Sequence, residues 1–149
     1  MPSPIRVGCC SWTSDAWWGR VYPKGISDGE RLGLYAKLFD TVEVDSTYYR
    51  SPARAVVDSW RRKTPEEFRF TLKFPRDLLD PKSPVDPAAV ENFLASARAL
   101  REKLGPILLQ FPPWFRPGRG RPFLTSLLET LDPTLAYAVE LRDAAWYQG

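Results

Sequence analysis

"TVEVDSTYYR", Thr41 to Arg50, begins as a strand and breaks the pattern of a fully buried one. Side chains alternate faces along a strand, so Val42 and Val44 share one side while Glu43 and Asp45 share the other. Parallel strands covered by helices on both faces read as continuous apolar runs instead. The segment therefore argues for a strand with one helix-covered face and one polar face. The same alternation recurs along the chain. Ile5, Val7 and Cys9 oppose Arg6, Gly8 and Cys10. Phe68, Phe70, Leu72 and Phe74 oppose Arg69, Thr71 and Lys73. Tyr137, Val139 and Leu141 oppose Ala138, Glu140 and Arg142, and Ile107 to Phe111 follows more weakly with Gln110 as its polar member.

Five strands are thus expected, at Ile5 to Cys10, Thr41 to Asp45, Phe68 to Phe74, Ile107 to Phe111 and Leu135 to Arg142. Four helices are expected between them. Leu32, Tyr35, Ala36, Leu38 and Phe39 recur at helical spacing, and Ser51-Pro52 opens a second helix with Val56, Val57 and Trp60 on its apolar face. A third runs from about Pro87 to Leu104 and a fourth from about Pro122 to Leu131. Strict alternation of strand and helix argues for a parallel α/β sheet. The strand starts lie about 32 residues apart, so eight such units take about 256 residues, against ~250 for a (β/α)8 barrel of the TIM type. A barrel also accounts for the polar face, because its interior holds layers of side chains and its site lies where the strands end. The residues nearest that mouth are Cys10, Asp45, Lys73, Gln110 and Arg142, with Glu43 and Glu140 one layer below.

Composition narrows the function classes. At 149 residues and 44% hydrophobic, the chain is long enough for one domain with a core. Six tryptophans and eight phenylalanines separate it from disordered chains, which lack aromatics. A net charge of +3 permits an anionic ligand without requiring one. There is no histidine, which excludes Ser-His-Asp and Cys-His nucleophile systems and imidazole metal sites. Cys9 and Cys10 are adjacent and close a disulfide only through a strained ring, so a reducing environment is expected. The stretch "MPSPIRVGCCSW" lacks a signal peptide's apolar segment, and no run of ~18 apolar residues occurs, so a cytoplasmic protein without a membrane span is expected.

Five stretches, "VGCCSWTSDAWWGRVYP", "FDTVEVDSTYYRSP", "WRRKTPEEFRFTLKFPRDL", "LREKLGPILLQFPPWF" and "AVELRDAAW", together resemble the YecE-like family, also called domain of unknown function 72. They occur in the family's order and cover the chain almost end to end. The resemblance implies a TIM-type barrel, of which residues 1–149 would form a single domain, the N-terminal five-eighths, and it implies no reaction. Several positions depart from the family pattern. Gly8, Cys9, Cys10, Ser11 and Trp12 stand where a Gly-Thr-Ser-Gly-Trp start is common, Asp45 where Asn is common, and Asp143 where a histidine commonly follows the arginine. A histidine often found after strand three is absent from "PRDLLDPKSP".

The candidate chemistry is a mixed-charge pocket at the strand ends. Arg142 can clamp an anionic group of a small molecule, while Glu43 or Glu140 moves a proton. Lys73 can bind an anion or act as acid or base, and an ion pair with Glu43 or Asp45 is its plainer role. Glu43, Lys73 and Glu140 are therefore the catalytic candidates. Trp12, Asp45, Tyr48, Tyr49, Gln110 and Arg142 are the binding candidates, with one tyrosine expected in the core and the other at the mouth. Asp45, Glu43 and Glu140 are oxygen donors suited to a hard cation, but Lys73 and Arg142 compete for them, so no metal and no cofactor is expected. A second function class rests on "FPPWFRPGRGRP", where Arg116, Arg119 and Arg121 lie beside Trp114 and Phe115 and can meet nucleic acid through phosphates and stacking. A third follows from five strands being too few to close the usual barrel: a truncated, non-catalytic fragment, or self-association through open sheet edges.

Overall fold

A computed structural model of the protein describes residues 5–148; residues 1–4 of the N-terminal stretch and residue 149 lie outside the described residues. Among the described residues five parallel strands form one sheet in sequential order: β1 (Gly8–Cys9), β2 (Thr41–Val44), β3 (Arg69–Lys73), β4 (Leu104–Gln110) and β5 (Tyr137–Glu140). Sequential order without a reversal is how a (β/α) barrel winds, whereas a doubly wound sheet reverses at a switch point. The helices are α1 (Asp28–Tyr35), α2 (Ser46–Tyr49), α3 (Arg54–Arg62), α4 (Pro87–Ala97) and α5 (Pro117–Thr130). The sequence predicts four; the fifth, α2, is a single turn that follows β2 directly. No helix among the described residues is long and apolar enough to cross a membrane.

The alternation in β2, β3 and β4 sorts the sheet's two faces. Val42, Val44, Phe70, Leu72, Ile107 and Leu109 are buried with Leu32, Tyr35, Val57, Phe93, Leu94 and Leu127 in one core. Glu43, Thr71, Lys73 and Gln110 on the other face stay half-buried. At the sheet's edges the pattern does not translate into burial. Ile5 and Val7, expected under helices, are 91% and 64% exposed, and Val139 in β5 is 43% exposed. The reason is position: β1 and β5 each have a neighbour on one side only, and the ladder to β2 begins at Gly8, beyond Ile5 and Val7. What does hold β1 is the Tyr35 hydroxyl, which accepts the Cys9 N–H at 2.7 Å and donates to the Thr41 carbonyl at 2.9 Å. Burial pushes that phenol up to about 12, so it remains a donor.

Local chemistry sets the helix ends. Ser27 and Glu30 bracket the start of α1, with the Glu30 carboxylate accepting the Ser27 N–H at 3.0 Å. Asp86 caps α4 by accepting from the N–H groups of Ala88 and Ala89, with Pro87 at the first helical position. The third predicted helix runs to Leu104, but α4 stops at Ala97 and a 3-10 segment, Arg98–Lys103, carries the chain into β4. Arg101 there adopts a φ of 53°, a left-handed conformation that ends helical winding. The fourth predicted helix opens at Pro122, yet α5 opens five residues earlier at Pro117 and carries Pro122 inside it. Either proline suits a first turn, and the sequence alone does not rank them. Lys103, buried beneath α3, donates to the carbonyls of Arg61 and Thr64 at 2.7 Å each and so closes that helix's C-terminus.

A charged clamp joins α4 to the turn before β5. Arg98 donates to Glu91 at 2.7 Å and to Asp132 at 2.8 Å. Hydrogen bonds from Thr134, and then from Arg98, pull the Asp132 carboxyl down to about 2. A depressed carboxylate pKa contributes stability above the unfolded value, near 3.8, and loses it as pH falls toward 2. Asp132→Asn is therefore expected to lower the urea midpoint at pH 6, with the gap from wild type shrinking below pH 4. A gap that does not change with pH contradicts this account.

Candidate functional site

The C-terminal ends of β2 to β5 bring five charged side chains and one amide into a single bonded chain. Asp45 follows β2 immediately, and the α2 turn then points Thr47 inward, where it is buried. The Thr47 hydroxyl is within bonding distance of the Val44 carbonyl at 2.9 Å and the Lys73 carbonyl at 2.7 Å, and accepts the Lys73 N–H at 2.9 Å. This one hydroxyl ties the end of β2 to the end of β3, and so fixes Asp45 against Lys73. The register does the rest, pairing Lys73 with Leu108 and Gln110 with Glu140.

Lys73, only 13% exposed along its side chain, donates to Asp45 at 2.6 Å, to Glu43 at 3.1 Å and to the Gln110 side-chain Oε1 at 3.5 Å. Gln110 in turn donates to Glu140 at 2.6 Å, and Glu140 accepts from Arg142. The chain of bonds crosses four strands without a gap. It contains three carboxylates and two cations. Because the Lys73 ammonium sits between Glu43 and Asp45, the space a hard cation would need is taken. Among the described residues no three carboxylate or thiol side chains converge as metal ligands.

The bonds set the protonation states. Burial pulls Lys73 down, but its bonds to Asp45 and Glu43 outweigh that, and the ammonium ends above the ordinary lysine value. Glu140 is held below the ordinary carboxylate value, first by the Gln110 amide and then by Arg142. Lys73 therefore stays cationic and Glu140 anionic at neutral pH, which suits fixed charges better than groups that exchange protons near neutrality. Among the described residues Glu43 pairs with Lys73 alone, and its side chain is 34% exposed.

Of the nine residues singled out by sequence, Glu43, Asp45, Lys73, Gln110, Glu140 and Arg142 come together and three do not join them. Tyr48 is half-buried and lines a separate cleft with Arg76 and Trp114. Tyr49 is exposed, with the Arg76 guanidinium 5.5 Å from its ring centre. Neither tyrosine enters the core as expected, because the turn of α2 gives the inward position to Thr47. Trp12 sits on the helix side, edge-on to Trp60 of α3 at 5.5 Å, in a groove of about 340 Å³ between α1 and α3. Trp17 stacks on Tyr35, and the Arg31 guanidinium lies 4.2 Å from the Trp18 ring centre, so both fasten the loop to the body. Arg6, two residues before β1, and Arg69, at the start of β3, donate to backbone carbonyls of Glu67, Glu66 and Phe68. Thr47 is the residue that sequence reading missed. A hydroxyl two positions after a strand-ending carboxylate is its only signal, and that signal is common in turns.

Asp143, at the position where a histidine commonly follows the arginine in the family resembled, is a structural residue here. It accepts the Ala145 N–H at 2.9 Å and the Arg116 Nε at 3.0 Å, tying the loop after β4 to the loop after β5.

Comparison with known proteins agrees with this architecture. The family described as "Protein of unknown function DUF72" matches residues 6–149. The protein YecE of Escherichia coli strain K12 is 32% identical over 145 residues, covering 96% of this chain and 50% of YecE. YunF of Bacillus subtilis strain 168 is 26% identical, with 96% and 52% covered. A crystal structure of a DUF72 family protein from Thermotoga maritima superposes with a TM-score of 0.79 at 32% identity, covering 95% of this chain and 56% of that one. Another, from Enterococcus faecalis V583, gives 0.70 at 30% identity over 78% and 45%. The chain spans about half the length of the curated relatives it matches. With the match running from Arg6 through all five strands, the chain belongs to the DUF72 family.

Proposed function

We propose that the strand-end site binds a small polar molecule with an anionic group. The observation that carries this reading is the unbroken chain of bonds from Asp45 to Arg142, placed at the strand ends where barrel enzymes hold their ligands. Arg142, exposed at the open end of the chain, takes the anionic group. The free oxygens of Asp45 and Glu43 take the ligand's hydrogen-bond donors. Lys73 and Glu140 hold charge in place, so proton transfer at this site falls to Glu43. Cys9 and Cys10, both free, suit a reducing compartment such as the cytoplasm.

The test is a thermal-shift screen with small carboxylates and sugar phosphates, followed by calorimetry on Lys73→Met and Glu140→Gln. Each substitution is expected to weaken a bound anion by tenfold or more while the circular dichroism spectrum stays unchanged. Lys73→Met also leaves Glu43 facing Asp45 without the cation, which is expected to cost about 1–3 kcal/mol in urea unfolding. Unchanged affinity in both variants removes this site from consideration.

A further inference from the structure

A second cleft lies away from the strand-end charges, where the loop after β3 meets the start of α5. It encloses about 350 Å³ between Pro81 and Lys82 on one side and Trp114, Phe115, Gly118 and Arg119 on the other. That volume falls in the ordinary range for small-molecule sites, roughly 300–1,000 Å³. Its walls differ in character. Phe115 is fully buried, stacked between Phe111 and Trp146, and makes a rigid floor. Trp114, by contrast, is 56% exposed, an unusual state for a large aromatic, and its ring forms the rim. A Cβ added at Gly118 would meet nothing within 4 Å, so the space beside this wall residue is open.

Cations share the cleft with that ring. The Lys82 Nζ lies 5.7 Å from the centre of the Trp114 ring. Arg119 lines the same cleft. Among the described residues neither Lys82 nor Arg119 forms an ion pair, whereas Arg116 beside them is committed to Asp143. The cleft also runs on in both directions. Lys82 and Arg119 continue into a shallower trough of about 790 Å³ along α5, and Trp114 also lines the cleft of about 500 Å³ that Tyr48 and Arg76 line. One exposed indole with unpaired cations on a continuous groove offers two things at once, a π-face for a flat ring and charge for a phosphate.

We propose that this groove binds a nucleotide unit, with the base stacked on Trp114 and the phosphate held by Lys82 and Arg119. The unit comes either free or within a single strand. Base–aromatic stacking is tolerant of sequence, and cations beside the ring track the backbone, which is how single-stranded nucleic acid is held without base readout. The site is independent of Lys73 and Glu140, and it stands or falls separately from the strand-end reading.

Fluorescence anisotropy with a 5′-labelled 12-nucleotide oligothymidylate, with AMP and inorganic polyphosphate as competitors, tests it on the whole chain. Trp114→Ala, Lys82→Ala and Arg119→Ala are each expected to weaken oligonucleotide binding about tenfold, while Lys37→Ala, which removes an equal charge elsewhere, leaves it unchanged. Lys82→Ala should also lower the log–log salt slope by about 0.7, the share of one phosphate contact on a single strand. AMP competing at micromolar to millimolar concentration assigns the site to the free nucleotide, and oligonucleotide binding without AMP competition assigns it to the strand. Polyphosphate competing as well as the oligonucleotide, together with full binding by Trp114→Ala, overturns the proposal, as does no binding of oligonucleotide or AMP at low salt. Circular dichroism of the three variants separates loss of contacts from loss of fold.

Discussion

Phe70→Ala is expected to lower the stability of the chain by about 3–5 kcal/mol, the usual range for emptying a large aromatic site in a core. Phe70 lies on β3, the central strand, and is fully buried. Its ring sits 4.9 Å from Phe68 and stacks at 6.3 Å on Trp60 of α3, so it joins the sheet to the helix layer. Collapse of the neighbours cannot refill the space, because Leu72 and Ile107 beside it are already packed. A domain of this size has on the order of 5–15 kcal/mol in total, so the loss removes a large share. The check is a urea titration followed by tryptophan fluorescence, which also reports on Trp60. A midpoint close to wild type would show that the core is looser than the packing implies.

Gly8→Ala is expected to have the second largest effect, about 2–3 kcal/mol or more, although Gly8 is exposed. Substitutions at exposed positions usually stay within about 0.5 kcal/mol. Here a Cβ would overlap the Thr41 carbonyl oxygen and lie 2.7 Å from its carbon, both backbone atoms of the paired strand. The chain cannot yield by turning a side chain; β1 must move away from β2. The ladder between them spans two residue pairs, Gly8 with Thr41 and Cys9 with Val42, so there is little to resist the displacement. Loss of β1 also frees the Cys9 N–H from the Tyr35 hydroxyl and loosens the loop that carries Trp12, Trp17 and Trp18. Hydrogen exchange at Cys9, compared with exchange in β3, separates local release from global unfolding. Unchanged protection of Cys9 would mean that the strand pair accommodates the methyl group.

How far the site was legible follows from the same two strands. On β2 and β3 the alternation of Val42, Glu43, Val44 and Asp45, and of Phe70, Thr71, Leu72 and Lys73, is enough to name the charged face, because the pleat has a strict period of two. It also places Glu140 and Arg142 with them, since parallel neighbours share the same face. The partners within that face are another matter. Whether Lys73 meets Asp45, Glu43 or Gln110 depends on register, and β4 shifts by one residue against β3 at Gly105-Pro106, a pair that reads in sequence as a turn rather than as part of a strand. Trp12 illustrates the opposite failure. Its place after a strand argues for the mouth, yet the turns that follow β1 carry it over to Trp60, because a loop's direction is set by what it packs on.

From sequence alone come the parallel sheet with one polar face, the family, the exclusion of histidine chemistry and the six charged or amide residues that the fold gathers at the strand ends. All of these depend on residue type and on short, regular periods, which survive without knowledge of the partner. Tertiary structure alone decided that Thr47 rather than a tyrosine turns inward, that Lys73 and Glu140 are held in their charged forms, and that Ile5, Val7 and Val139 lie uncovered at the sheet's edges. Each of those outcomes is a matter of which groups lie within a few ångströms across the fold, and burial, hydrogen bonding and charge stabilisation all act over that distance.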